Sequence, residues 1–203
     1  VKGLSITVLD NASTDGTGEL VEAFAARFPN IKHIRHNKNI GGNANIARAF
    51  ELAQKEYFWV LSDDDDFDFS AWNEVEQAIA EKKALIVVNR ELLPDNQTIF
   101  QAGELVRLLT FCPAAIHRSD TITSEVLINI YYNTANWFPH LGAVCAAINK
   151  RLPIQVLSKN IVLCGKNDNH LGLEFHRKTP GIAFPYRMRF FEVCYLKSLA
   201  MID

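Results

Sequence analysis

Four consecutive aspartates, Asp63 to Asp66, stand one residue beyond the apolar run Tyr57-Phe58-Trp59-Val60-Leu61. Carboxylates crowded in this way repel one another and raise each other's pKa unless a cation sits among them. An all-oxygen ligand set on a short loop suits a hard divalent ion, Mg²⁺ or Mn²⁺. An ion held by one or two carboxylates keeps coordination positions for phosphate oxygens. The chemistry suggested is metal-assisted reaction of a phosphorylated substrate. A solvated acidic turn is the plainer reading of such a run. A calcium-binding helix–loop–helix fails on spacing. With Asp64, Asp66 and Asp68 as first ligands, Phe69 falls where glycine is needed and Val75 where the bidentate glutamate belongs.

The aspartates need an element to deliver them, and Tyr57 to Leu61, aromatic and β-branched, reads as a buried strand. Leu4 to Leu9 reads as another strand, ending at Asp10. Asn11 to Gly16 is turn chemistry, and Thr17 is placed to cap a helix carrying Leu20, Val21, Phe24 and Phe28 until Pro29-Asn30 stops it. Ile31 to Arg35 is a second short strand. A loop from Asn37 to Gly42 then leads into a helix from Asn43 to Lys55, with Ile46, Ala49, Phe50 and Ala53 on one face. Ser70 is placed to cap a helix carrying Trp72, Val75 and Ile79, and Ala84 to Val88 is a further strand. Strands alternating with helices predict an α/β fold with a mainly parallel sheet. Ligands in such sheets bind beyond the carboxyl ends of the strands, so Asp10 and Asp63 are expected to face one crevice.

Beyond Asn89 the pattern loosens. Helices are predicted over Gly103 to Leu109, Thr123 to Tyr132 and His140 to Lys150. Ile154 to Cys164 reads as extended, and Met188 to Met201 as an amphipathic helix. The 203 residues suffice for one substantial domain, and 48% hydrophobic with 22% charged residues is ordinary for a globular chain. A net charge of −2 leaves no electrostatic footprint for nucleic acid. Cys112, Cys145, Cys164 and Cys194 form no C-x-x-C pair, which argues against a zinc site and suits reduced thiols in a cytoplasmic protein. No apolar run approaches the roughly 20 residues that span a bilayer.

Three segments, in order over the first 70 residues, resemble glycosyltransferase family 2 with its GT-A fold. Val8-Leu9-Asp10-Asn11-Ala12-Ser13-Thr14-Asp15-Gly16-Thr17 is similar to that family's second-strand signature. Asn37 to Ala49 resembles its Asn-x-Gly-x-x-x-Ala-Arg-Asn loop and helix. Trp59-Val60-Leu61-Ser62-Asp63-Asp64-Asp65-Asp66 resembles its DxD metal site. The resemblance implies a GT-A type Rossmann-like sheet flanked by helices, with a looser helical acceptor side. It implies one domain over 1–203, divided into a nucleotide-sugar half (1–90) and an acceptor half (91–203). The family's opening strand and helix are missing, so some 30 to 40 upstream residues are expected for a βα unit.

The roles implied follow the motifs. Asp10, Asn11 and Asp15 would serve the nucleotide, with Asp10 or Asn11 bonding the base. Gly41 and Gly42 would let backbone approach the ligand, and Arg48 would face the diphosphate or the aspartates. Asp63 and Asp65 would form the DxD pair, with Asp64 in a slipped register, holding Mn²⁺ or Mg²⁺ between protein and diphosphate. The family's acidic base, near a helix start in the second half, has no carboxylate here. His140 is the replacement expected, after Trp137-Phe138-Pro139, with Glu125 and Asp120 as fallback acids. Trp137 and Phe138 offer aromatic surface to an acceptor sugar. His170 and His176 fall where some GT-A enzymes add a metal ligand.

The activity implied is metal-dependent, inverting transfer from a nucleotide-diphosphate sugar to a glycan or lipid-linked acceptor. It leaves room for peripheral attachment at the inner face of a membrane. Two rivals stand beside it: a nucleotidyltransferase, and a non-catalytic nucleotide-sugar-binding domain.

Overall fold

The computed structural model describes residues 4–88, 102–135 and 138–163. The first unit is β1 (Ile6–Asp10), α1 (Thr17–Arg27) and β2 (Ile31–Arg35), with the two strands parallel and Asp10 opposite Arg35. Next come α2 (Gly42–Glu51), β3 (Tyr57–Trp59), β4 (Asp66–Phe67), α3 (Trp72–Ala80) and β5 (Leu85–Val87). They are followed by α4 (Ala102–Leu108), β6 (Ala115–Arg118), α5 (Ser124–Tyr132), α6 (Leu141–Asn149), β7 (Ile154–Val156) and β8 (Val162–Leu163).

The main sheet has the order β3-β6-β5-β7. β6 runs antiparallel to both neighbours, and β5 pairs parallel with β7. The sheet is therefore mixed, with β6 as the reversed strand. The α/β architecture is as expected from the sequence, but β6 is not visible there. Ala-Ile-His-Arg has neither the length nor the alternation that marks a strand.

β5 is the centre of the core, with Leu85, Ile86 and Val87 each at most 1% exposed. Its side chains alternate, as a strand's must. Leu85 and Val87 join Val106, Leu109, Leu141 and Val144 on one face. Ile86 and Val88 join Val75, Leu157 and Ile161 on the other, under α3. A third cluster joins α2, α5 and α6 through Ala47, Phe50, Val126, Ile130 and Ala143. Gly142 makes that packing close, because a Cβ there would lie 3.2 Å from Ile130 Cγ1. Phe50 is buried edge-on to Phe58 on β3 and to His117 on β6, at 5.1 and 5.0 Å between centroids. Phe50→Ala is expected to cost about 3–5 kcal/mol, read as a lower urea midpoint at unchanged slope.

Several boundaries differ from the sequence reading. Thr17 does not cap α1. It is the first helical residue, and Asp15 Oδ1 accepts from its backbone N–H and its hydroxyl. Ser70 does not cap α3 either. Asp68 accepts from Ser70 N–H and opens a 3₁₀ turn, Phe69–Ala71, that runs into α3. α2 ends at Glu51 rather than Lys55. Leu20 and Phe24 of α1 are 59% and 47% exposed, because α1 rests on β2 and β1 through Gly18 and the half-buried Val21 and Ala25. β1 and β3 each have a strand partner on one side only among the described residues. The predicted tail helix lies outside the described residues.

Candidate functional site

Asp10 ends β1 and turns inward. Its carboxylate is fully shielded, with Oδ1 accepting from Ser13 N–H at 2.7 Å and Oδ2 from Arg35 Nη1–H at 2.8 Å. His33 Nε2 lies 3.5 Å from the same Oδ2. The Ser13 backbone bond leads in holding this carboxyl below the usual aspartate range. Arg35 also donates to Ser13 O, which fixes the turn after β1. Every oxygen of Asp10 is engaged within the chain, which corrects the expectation that it bonds a nucleobase. Asp15 is exposed and engaged with Thr17, and those bonds lower its pKa.

Asn11 does what the motif spacing alone did not show: it joins two motifs. Its Oδ1 accepts from Ile40 N–H at 2.9 Å, and its Nδ2 donates to Asn39 Oδ1 at 3.0 Å. Asn39 Oδ1 also accepts from Gly41 N–H. Gly41 has φ 86 and ψ 149, a conformation confined to glycine, and it precedes the first residue of α2, Gly42. A Cβ at either glycine would meet nothing within 4 Å, so backbone there is open to a ligand. Asn45 ties the same helix start to β1 by donating to Leu9 O.

The aspartates follow β3 in the chain. α2 starts at the Gly41 loop, and Phe50 near its other end packs on Phe58 of β3, four residues before Ser62 and the acidic run. Asp63 and Asp64 are exposed and Asp65 is half-buried. Among the described residues no three His, Cys, Asp or Glu side chains gather into a protein-only cage. The donor set still fits a hard cation, since Mg²⁺-type sites use one or two carboxylates and complete their shell with substrate phosphate and water. Asp66 belongs to β4, paired with Leu163 of β8.

The three residues expected as bases are elsewhere. His140 is 3% exposed, its Nε2–H donates to Leu109 O at 2.9 Å, and burial pushes its pKa down to about 4. It is a neutral core residue edge-on to Phe138, itself buried in the core rather than offered to a sugar. Asp120 accepts from Arg118 Nε–H, and Arg118 sits opposite Tyr57, the first residue of β3. Asp120 therefore lies at the end of the sheet opposite Asp63, and Glu125 follows it in the exposed first turn of α5. Arg48 is also withdrawn from the expected diphosphate. It pairs with Glu51, which accepts from Tyr131 OH as well. Trp137, His170 and His176 lie outside the described residues.

A shallow cleft of about 300 Å³, lined by Ser13, Thr14, Gly18, Glu19 and Arg35, opens behind α1 rather than over the aspartates. Sequence reasoning missed His117, buried and stacked on Phe58 at 5.5 Å, because a histidine in a short run carries no burial signal.

The family described as Glycosyl transferase family 2 matches residues 2–145. The abequosyltransferase RfbV of Salmonella typhimurium is 36% identical over 64 residues, covering 30% of this chain and 19% of that protein. An uncharacterized glycosyltransferase of Mycoplasma pneumoniae, the MG025 homolog, is 31% identical over 71 residues, 34% of this chain and 24% of its own length. In three dimensions the chain is similar to S. aureus TarS 1–349 in complex with UDP. The TM-score is 0.60 at 16% identity, covering 92% of this chain and 60% of that one. It is also similar to the mannosyltransferase PcManGT of Pyrobaculum calidifontis in complex with GDP-Man and Mn²⁺, with TM-score 0.55, 13% identity, and 98% and 63% coverage. The matches thus span a quarter or less of the two curated relatives and less than two thirds of the two solved chains.

Proposed function

Because the chain belongs to glycosyl transferase family 2 and has the GT-A fold, we propose that it transfers a sugar from a nucleotide-diphosphate donor. The observation that carries this reading is Asn11. Its two hydrogen bonds hold the turn after β1 against the Asn39–Gly41 loop; in this reading Asp63 to Asp65 face the same crevice. The nucleoside lies against Asn11 and that loop. The diphosphate lies over Gly41 and Gly42, where no side chain blocks the approach and the positive end of the α2 dipole favours an anion. Asp63, Asp64 and Asp65 would hold Mn²⁺ or Mg²⁺ against the diphosphate; bound there, the ion offsets negative charge on the departing nucleotide. Asp10 positions Asn11 by fixing the turn and touches no substrate. Transfer is inverting, to a glycan or lipid-linked acceptor hydroxyl, with the proton taken by a group other than His140, Asp120 or Glu125.

The reading treats 1–203 as one domain, with 1–90 serving the nucleotide sugar and 91–203 the acceptor. No helix among the described residues is long and apolar enough to cross a membrane; the proposed location is the cytoplasm, with peripheral contact at the inner membrane face. Family membership removes the nucleotidyltransferase alternative. The displacement of all three expected bases favours one second reading, a domain that binds nucleotide sugar without turning it over.

Calorimetry with UDP and GDP, with and without MnCl₂, tests the binding. Asn11→Ala is expected to weaken nucleotide binding by about 1–3 kcal/mol. Asp10→Ala is instead expected to lower the melting temperature, because it leaves Arg35 and Ser13 N–H without their acceptor. Nucleotide affinity unchanged in Asn11→Ala contradicts the assignment. Release of nucleoside diphosphate from a sugar donor separates the catalytic reading from the binding one.

A further inference from the structure

We propose that Phe69 is the stacking platform for the acceptor's pyranose ring, an inference that rests on the glycosyltransferase reading above. Four aromatic rings close a cycle directly downstream of the aspartates. Trp59 meets Phe67 edge-on at 5.7 Å, and Phe67 stacks on Phe69 at 6.1 Å and 17°. Phe69 meets Trp72 edge-on at 5.6 Å, and Trp72 stacks on Trp59 at 6.3 Å. Trp59, Phe67 and Trp72 are half-buried on the core beneath α3, and Trp59 Nε1–H is anchored to Pro113 O at 2.7 Å. Phe69 is the outermost ring, 46% exposed. Its orientation is fixed from below by its two ring neighbours and from the side by the Asp68 cap on the turn it opens. The turn therefore presents a rigid aromatic face with little left to order on binding.

What surrounds that face identifies the ligand. Asp66 and Asp68 flank Phe67 and Phe69 in the sequence Asp66-Phe67-Asp68-Phe69, and both carboxylates are exposed. The Ser70 N–H bond leads in holding Asp68 ionised. An aromatic face with a negative quadrupole accepts the polarised C–H face of a sugar, and adjacent carboxylates accept its hydroxyl protons. An aliphatic or lipid partner has no use for the carboxylates, and a diphosphate is repelled by them. The acceptor sugar, rather than the donor's, is assigned because of the order along the site. On the reading above the nucleoside is at Asn11 and the diphosphate is held through Asp63–Asp65, and the chain runs on from these aspartates through β4 to Phe69.

The test uses the full chain and saturation-transfer NMR with the methyl pyranosides of glucose, galactose, mannose and N-acetylglucosamine. Wild-type protein is expected to transfer signal to the axial C–H protons of at least one of them. Phe69→Ala should weaken that binding about tenfold, and Phe69→Trp should restore it. Both variants should keep the wild-type melting temperature and UDP or GDP affinity in Mn²⁺. The proposal is overturned if no glycoside receives signal, if Phe69→Ala binds as wild type does, or if it loses nucleotide-sugar affinity in parallel. Glycoside binding at Phe69 in a protein that binds no nucleotide would leave the platform standing and sink the transferase reading instead.

Discussion

Asp63→Ala combined with Asp65→Ala is expected to abolish the gain in nucleotide affinity that Mn²⁺ gives, and to lower donor turnover by at least about 10²–10³-fold. The size follows from what the two carboxylates would do. A nucleoside diphosphate leaves as a multiply charged anion, and two exposed aspartates by themselves repel it. Their value lies in holding a cation that reverses the local sign. Removing both leaves Asp64 as the exposed carboxylate of the loop outside β4, so a single ligand must hold the ion. Asp63 is exposed and Asp65 half-buried, so the double variant should fold, which circular dichroism checks. Calorimetry of UDP against MnCl₂ in both proteins gives the comparison. A variant that retains the Mn²⁺-dependent gain places the metal elsewhere.

The second large effect is on stability. His117 on β6 and His140 at the start of α6 are both buried, and burial pushes their pKa values down to about 3 and about 4, from about 6.5 in an unfolded chain. A depressed folded pKa means the unfolded state binds protons first as pH falls. Stability is therefore fully present above about pH 7 and is lost as pH drops from 6.5 toward 4. Between pH 7.5 and 5 each histidine contributes a loss of about 2 kcal/mol, about 4 together, by proton linkage. Urea denaturation at the two pH values reads this directly. His117→Phe, which keeps an aromatic ring between Phe50 and Phe58, should remove about half of the loss. A stability independent of pH over this range contradicts neutral burial of both rings. His140→Gln should likewise act on stability and leave donor binding nearly intact.

The sequence carried the local elements well where period and turn chemistry were strong. β2 runs over the residues expected, and α5 begins beside Thr123, whose hydroxyl accepts from Val126 N–H. It could not carry what distant partners decide. Asp10 looks like a ligand at a strand end until Arg35, 25 residues later, takes its carboxylate. His140 after Pro139 looks like a helix-start base until Leu109 O and Phe138 enclose it. Asp120 and Glu125 have suitable chemistry, but the reversed direction of β6 puts them at the wrong end. Asn11, one residue beyond the more conspicuous aspartate, proves to be the link between the two motifs. In each case the residue type was legible and its neighbours were not.

The most direct measurement is a crystal of the protein soaked with MnCl₂ and UDP or GDP, with anomalous data collected above the manganese edge. The account predicts one manganese peak against the carboxylates of Asp63 to Asp65, a diphosphate over Gly41 and Gly42, and the base beside Asn11. A nucleotide bound away from these residues, or manganese at any other group, would contradict it.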